Sequence, residues 1–353
     1  MENEPAGRPR REPEKPVLAG TTVRTGPGAR FVPPRPVERG RVLCGGARCA
    51  AGTRGSGMRS LGYVGAQSAS APDWLDFGPK VFGFEADRLP GGTVRVRWCD
   101  RAYRLAVHPG GPDRLLYLGW DLGDEAALAE EAARVAAAGY AVEQGTERLC
   151  AERAVRRLVS FTDPFGLRHE LFTGQREVPG SYRGQRPTSR AVTGGLGLGF
   201  VALRVPDLQR GLDFYRDVMG MKVSDAINLG RPHGEMWFLR CNPRHHSIAL
   251  LEGGDELRLE HLMIETATLE EVEIAWDLAE REMDAFVSPG RRLSDNMLLF
   301  RVRASTGFDV CYGWGASLID DEENWIPRYI DSSRAEGIVY SAAAVVTARR
   351  PGR

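Results

Sequence analysis

The sequence has 353 residues, 42% of them hydrophobic and 27% charged, and its 47 basic and 47 acidic side chains cancel. This balance gives no electrostatic support for nucleic acid or an anionic membrane surface as a partner, and no apolar run approaches the roughly 20 residues that span a bilayer. The six cysteines lack the spacing of a disulfide framework or a zinc site, which predicts a reducing, cytoplasmic location.

The first 57 residues differ from the rest of the chain in composition. They are rich in Arg, Pro and Gly and poor in periodic apolar positions, as in the run E-P-A-G-R-P-R-R-E-P-E-K-P. Such a segment buries too little apolar surface to offset the entropy of ordering it. We therefore predict a disordered tail at residues 1–57, or an upstream start codon with Met58 as the true first residue.

From Met58 onward the chain repeats itself. The phrase L-G-Y-V begins at Leu61 and L-G-F-V at Leu198, and L-D-F-G at Leu75 is matched by L-D-F-Y at Leu212, with the same separation of 137 residues. Self-similarity of this kind predicts two copies of one structural module. The predicted boundaries are 58–178 for the first module, 179–193 for a turn-rich linker, 194–318 for the second module and 319–353 for a C-terminal segment.

Each module is predicted to run, in chain order, through a strand, a helix starting at a Pro-Asp pair, alternating strands, another strand, a long helix and two final strands. An Asp at a helix start meets free N–H groups, and stretches such as V-R-V-R-W have apolar residues at every second position. The fold class is therefore α+β, with two tandem βαβββ-repeat domains and mostly antiparallel sheets. The main predicted elements are Leu61–Ala66, Leu115–Trp120, Glu125–Ala138, Phe200–Val205, His261–Glu265 and Glu270–Glu282.

This pattern and several phrases resemble the vicinal-oxygen-chelate superfamily, specifically the type I extradiol dioxygenases of the 2,3-dihydroxybiphenyl dioxygenase kind. The matching phrases include M-R-S-L-G-Y-V, D-R-A-Y-R-L-A-V-H-P-G, C-N-P-R-H-H-S-I-A-L, H-L-M-I-E and G-F-D-V-C-Y-G-W-G-A. They run from Met58 to about Tyr329. The resemblance implies a glyoxalase-like fold in which the second module carries the active site.

The resemblance also implies Fe(II), or Mn(II), held by two histidines and one glutamate of the second module. At those positions this chain has Phe200, His261 and Cys311. A phenyl ring has no lone pair, and a thiolate favours softer metals than Fe(II). The sequence thus predicts a degenerate metal site with no metal and no other cofactor, and O2 as a co-substrate.

Three residues are the predicted catalytic groups of the second module. The family's acid/base histidine corresponds to His246, which would act with His261 as a base at neutral pH, while Arg301 replaces a family tyrosine and would hold a phenolate or superoxide. The predicted substrate-binding residues are Phe200, Trp237, His245, Asn242, Asp295, Asn296, Cys311 and Tyr312.

The main functional hypothesis from these residues is a cofactor-independent oxygenase in aromatic natural-product metabolism. It would deprotonate an electron-rich polycyclic phenol or hydroquinone, which then reacts directly with O2. The alternatives are a metal-free isomerase, cyclase or hydratase, a non-catalytic resistance protein that sequesters an aromatic ligand, and an Fe(II) extradiol dioxygenase with substitute ligands. The predicted partners are a small polycyclic aromatic substrate and further copies of the chain in a homo-oligomer.

Overall fold

The computed structural model describes residues 57–180, 182–186, 190–230, 232–331 and 338–340, with the backbone alone at 284–286 and 338–340. Except for Gly57, the predicted N-terminal tail lies outside the described residues, as does most of the C-terminal segment beyond Asp331. Among the described residues, both modules belong to one compact unit.

The described elements follow the repeat found in the sequence. The first module contains β1 (Ser60–Ser68), α1 (Phe77–Phe82), β2 (Glu85–Arg88), β3 (Val94–Arg97), β4 (Leu105–Pro109), β5 (Arg114–Asp121), α2 (Glu125–Ala137), β6 (Glu143–Gln144), α3 (Glu147–Arg153), β7 (Arg157–Thr162) and β8 (Arg168–Thr173). The second contains β9 (Phe200–Val205), α4 (Leu208–Asp213), β10 (Lys222–Asn228), β11 (Glu235–Arg240), β12 (Ile248–Glu252), β13 (Arg258–Thr266), α5 (Leu269–Glu282), β14 (Asp284–Arg292), β15 (Leu298–Arg303), β16 (Asp309–Trp314), β17 (Arg328–Asp331) and β18 (Ile338–Tyr340).

The two sheets have the same topology. The first has the order β2-β3-β4-β1-β5-β8-β7-β6, and the second has β10-β11-β12-β9-β13-β16-β15-β14 with β17 and β18 added at its edges. In each sheet the first strand of the module pairs parallel to one neighbour and antiparallel to the other. The α+β prediction with tandem glyoxalase-like modules is confirmed, and both sheets are mixed.

The second sheet separates two groups of buried side chains. Strand residues alternate between its faces, so Val201, Leu262 and Tyr312 join the main core, to which Val272 of helix α5 also belongs. The opposite face, which we call the site face, carries Phe200 and other residues of a separate buried cluster. Because both faces are covered, β9 is a nearly continuous apolar run, F-V-A-L-R-V.

Most predicted elements agree with the structure, and one differs. The segment after Pro72 is divided into a 3₁₀ turn, Ala71–Leu75, and the short helix α1. Pro79 has no N–H group and is tolerated only in the first turn of a helix, so a new helix begins just before it. In the second module Asp207 caps α4 as predicted, and its Oδ1 accepts a hydrogen bond from the Arg210 N–H at 2.9 Å. Among the described residues, every helix is too short or too polar to cross a membrane.

Candidate functional site

Strand register brings the three implied ligand positions together on the site face. Phe200 on β9 pairs with Met263 on β13, and Met263 pairs in turn with Cys311 on β16. His261 lies two residues before Met263 and therefore points to the same side. The side chains of Phe200, His261 and Cys311 are all buried, so the fold brings these three positions together.

These residues do not supply the donors that Fe(II) requires. Phe200 has no lone pair, and burial raises the pKa of the Cys311 thiol to about 11, so the thiol keeps its proton at neutral pH. His261 is one nitrogen ligand where the family uses two histidines and a carboxylate. Within the described residues, no group of three or more His, Cys, Asp and Glu side chains could hold a metal ion.

A buried arginine that sequence reasoning missed also lies in this cluster. The guanidinium carbon of Arg292 is 4.9 Å from the centroid of the Phe200 ring, and its Nε donates to Asp295 Oδ1 at 2.8 Å. Burial raises the pKa of the Asp295 carboxyl, but the Arg292 charge and hydrogen bond bring it below its usual value. The signal in the sequence was the R-R pair three residues before the predicted Asp295.

A chain of three side chains leads to His246. Its Nδ1 lies 3.0 Å from His245 Nδ1, and His245 Nε2 lies 3.0 Å from Asp225 Oδ2. The His246 ring centroid is 3.9 Å from that of Phe200 and 4.6 Å from that of Phe238. Sequence reasoning identified both histidines and missed Asp225 and Phe238.

Both site histidines are held in the neutral form. Burial lowers the pKa of His246 well below its usual value, and the charge of Arg292 lowers it further. Burial acts in the same way on His261, together with Arg301 and Arg292. The imidazoles of this site are therefore neutral hydrogen-bonding groups near pH 7.

Arg301 lies on the site face but is engaged by carboxylates. Its Nε donates to Asp309 Oδ2 at 2.9 Å, and its Nη2 lies 3.6 Å from Glu260 Oε1. These contacts join β13, β15 and β16. The side chain predicted to stabilise an oxyanion thus forms a buried ion-pair network between strands.

Four other predicted substrate-binding residues are not part of the buried cluster around Phe200. The half-buried Trp237 packs against the main core and bonds to Glu235, and Tyr312 lies on the face opposite Phe200. Asn242 donates to the backbone carbonyl of Arg59 at 2.9 Å. Asn296 is exposed, with a left-handed backbone (φ 60°). A cavity of about 530 Å³ lies elsewhere, lined by Tyr140, Pro164, Asp207, Gln209, Arg210, Asp213, Phe214, Asp217 and Val218.

The equivalent cluster of the first module resembles that of the second. Tyr63, at the position equivalent to Phe200, donates its hydroxyl to Glu170 Oε2 at 2.8 Å. Arg153 pairs with Glu170 at 2.9 Å, and its guanidinium carbon is 3.9 Å from the Tyr117 ring centroid. In both modules a buried, carboxylate-paired arginine therefore lies over an aromatic ring.

Comparisons with known proteins agree with this fold. Residues 197–312 match the Glyoxalase/Bleomycin resistance protein/Dioxygenase superfamily, and residues 61–110 match Dihydroxybiphenyl dioxygenase BphC D1. A biphenyl-2,3-diol 1,2-dioxygenase from Metapseudomonas furukawaii is 34% identical over 78% of this chain and 91% of its own length. An iron-dependent extradiol dioxygenase from Rhodococcus jostii RHA1 is 35% identical over 77% and 93%.

A solved structure, that of BphC, a halotolerant catechol dioxygenase, superposes with a TM-score of 0.75 at 34% identity and covers 80% of this chain and 94% of its own. Fold and sequence together define a protein of the vicinal-oxygen-chelate superfamily. Within that superfamily, the chain belongs to the type I extradiol dioxygenases related to biphenyl-2,3-diol 1,2-dioxygenase.

The comparisons overturn the main functional hypothesis drawn from the sequence. The matched relatives are named as dioxygenases of diols or catechols, and the Rhodococcus jostii protein is named as iron-dependent. A cofactor-independent reaction of a polycyclic hydroquinone with O2 is therefore wrong as the leading interpretation.

Proposed function

We propose that the second module binds an aromatic diol between His246 and His261 and does so without a ferrous ion. The observation that carries this proposal is a pair of buried nitrogens, His246 Nε2 and His261 Nδ1, with no hydrogen-bond partner among the described residues. A buried polar atom left unpaired costs about 1–3 kcal/mol. The two hydroxyl groups of a diol would satisfy both nitrogens.

The surroundings of these nitrogens suit a flat aromatic ligand. The Phe200 ring centroid lies 3.9 Å from that of His246 and 5.6 Å from that of His261, so both imidazoles flank one apolar wall. Met263 and Met297 belong to the same buried cluster. Their unbranched side chains can rearrange to admit a ring. The diol class is taken from the relatives, whose names include biphenyl-2,3-diol and 3-methylcatechol dioxygenases.

Iron is left out because the residues at the implied ligand positions offer too few metal-binding atoms. Phe200 and the protonated Cys311 leave His261 alone at the three implied positions. The Arg292 guanidinium beside Phe200 adds a permanent positive charge that opposes a dication. The same groups tolerate a neutral diol.

A second candidate function is extradiol ring cleavage, as in the named relatives. The identity of 34–35% over more than nine-tenths of their lengths favours it. It requires iron held by donors other than Phe200, so the two candidates differ in a measurable property, the metal content of the active protein.

One experiment separates these candidates. The purified protein is loaded anaerobically with Fe(II), freed of excess metal and assayed for metal content, catechol binding by calorimetry and O2 uptake. We expect saturable binding of catechol and 2,3-dihydroxybiphenyl, none of 1,2-dimethoxybenzene, background O2 uptake and recovery of unchanged diol. O2 uptake that needs Fe(II) and stops with a chelator would establish ring cleavage instead.

Variants locate the binding site in the same assay. His246→Phe and His261→Phe should each weaken catechol binding at least about tenfold, since each removes one hydrogen bond to a hydroxyl. His108→Gln is the matched control, because His108 belongs to the first module, where it contacts Tyr117 and Thr93. Equal binding by all three variants would place the diol elsewhere and reject the proposal.

A further inference from the structure

The hydrogen bonds behind His246 have a defined direction. Asp225 is fully buried and only accepts hydrogen bonds when ionised. Its Oδ1 accepts from the Arg328 backbone N–H at 2.7 Å, and its Oδ2 accepts from Arg328 Nε at 3.1 Å. Burial raises the pKa of the Asp225 carboxyl, but the bonds from His245 and Arg328 bring it below its usual value. His245 Nε2, at 3.0 Å, must therefore carry a hydrogen.

This direction fixes the remaining positions of the chain. The charge of Asp225 is balanced by Arg328, and the side chain of His245 has no exposed surface. An imidazole with one ring hydrogen, placed on Nε2 by the contact with Asp225, has its lone pair on Nδ1. Only one hydrogen can lie in the 3.0 Å contact between the two Nδ1 atoms, and it must belong to His246. The lone pair of His246 is then on Nε2, the atom without a partner.

We propose that Asp225 and His245 are positioning residues that fix this tautomer of His246, so that the site selects ligands donating a hydroxyl hydrogen. The ligand class rests on the proposed function, but the tautomer does not. His246 Nε2 is a hydrogen-bond acceptor that a phenolic hydroxyl satisfies, whereas an ether oxygen or ketone in the same place would face a lone pair.

The C-terminal segment maintains this arrangement. Trp325 packs edge-on against His245, with ring centroids 5.7 Å apart, and its Nε1 donates to the Ser224 carbonyl at 2.8 Å. Arg328 begins strand β17, which pairs parallel with β10 at Asp225. A single short segment thus covers His245 and neutralises Asp225.

The test reads the tautomer directly in the ligand-free protein. Long-range ¹H–¹⁵N NMR distinguishes protonated from unprotonated imidazole nitrogens, and His246→Gln assigns the signals. We expect an unprotonated Nε2 and a protonated Nδ1 for His246. A protonated Nε2 in the wild-type protein overturns the proposal, whatever binds there, so the ligand-free measurement decides it even if a variant fails to fold.

Asp225→Asn tests the positioning role. Its amide can donate to His245 Nε2, which reverses the chain and places the hydrogen of His246 on Nε2. We expect this shift in the spectrum and a loss of catechol affinity of about tenfold or more. Asp309→Asn is the control, since it disrupts a carboxylate–arginine pair of the same sheet without touching His245. An unchanged His246 tautomer in Asp225→Asn would contradict the proposal. The expected tautomer with no diol binding would instead reject only the ligand class.

Discussion

The guanidinium of Arg292 lies beside Phe200, in the part of the second module where the family resemblance places a metal ion. Its charge is balanced by Asp295, which is buried with it. Desolvation offsets much of the attraction within such a buried pair, and its guanidinium end still repels a cation placed beside it. The site therefore differs from an iron centre in three side chains: Phe200 and Cys311 occupy ligand positions, and Arg292 adds a positive charge.

Restoring these positions should restore metal binding. We predict that Phe200→His with Cys311→Glu and Arg292→Met takes up about one ferrous ion per chain, because two histidines and a carboxylate then face the site without the neighbouring cation. The double variant that keeps Arg292 should bind more weakly. Metal analysis after anaerobic loading measures both, with Phe200→His and Cys311→Ala as the matched control. Stoichiometric iron in the wild-type protein would show that other donors suffice.

The two neutral histidines predict a pH dependence of stability. The folded pKa values of His246 and His261 lie well below their usual value, so below about pH 6.5 the unfolded chain binds protons that the folded chain does not. The free energy of unfolding should then fall with decreasing pH by up to about 1.4 kcal/mol per unit for each histidine. The lowered carboxyl pKa of Asp225 also costs stability in acid, but in a window nearer pH 4.

Urea denaturation between pH 5 and 7 measures this effect. The double variant His246→Asn, His261→Gln should show a flatter profile over that range, whereas His233→Gln, which changes a surface histidine, should follow the wild-type protein. A wild-type profile that is already flat would mean that both histidines are protonated without cost in the folded protein.

At the level of secondary structure, the local sequence specified the elements closely. The predicted Phe200–Val205 strand has the observed bounds, and the two long helices agree within one residue. Both helices combine an apolar stripe with a side-chain cap, and such signals are local. The sequence pattern could not predict Asp225, because a register shift between Val223 and Asp225 interrupts the alternation of β10. Its pairing with His245 also depends on strand order, which is not local.

The cap of helix α2 gives a prediction for one element. Asp124 is mostly exposed, and its Oδ1 accepts the Ala127 N–H at 2.9 Å. Asp124→Ala should lower the free energy of unfolding by about 1 kcal/mol, and Asp124→Asn by less, because an Asn side chain also caps. Catechol binding should stay unchanged in both, since α2 belongs to the first module. Equal destabilisation by both substitutions in urea titrations would assign the loss to charge rather than to capping.

In the whole molecule, the two modules share one main core. Trp98 Nε1 of the first module donates to the Leu198 carbonyl of the second at 3.1 Å, and the Phe82 ring centroid is 5.1 Å from that of Tyr312. The sequence repeat predicted two similar modules. It could not predict how they pack against each other, because this depends on contacts between aromatic residues of different modules. The sequence also could not predict the packing of the site face. The residue types at the three implied ligand positions do not indicate that the Arg292 guanidinium lies against the Phe200 ring.

This shared core predicts that both modules unfold together. Phe172 is fully buried and stacks on Tyr63 within the first module, with ring centroids 4.7 Å apart. Phe172→Ala should lower the free energy of unfolding by about 3–5 kcal/mol. If the two modules form a single cooperative unit, the slowest-exchanging amides of β13, in the other module, should lose the same amount of protection. Hydrogen exchange followed by mass spectrometry measures it. Phe300→Ala, in the core of the second module, should have the reciprocal effect on β5, and full protection of β13 in Phe172→Ala would show that the modules unfold separately.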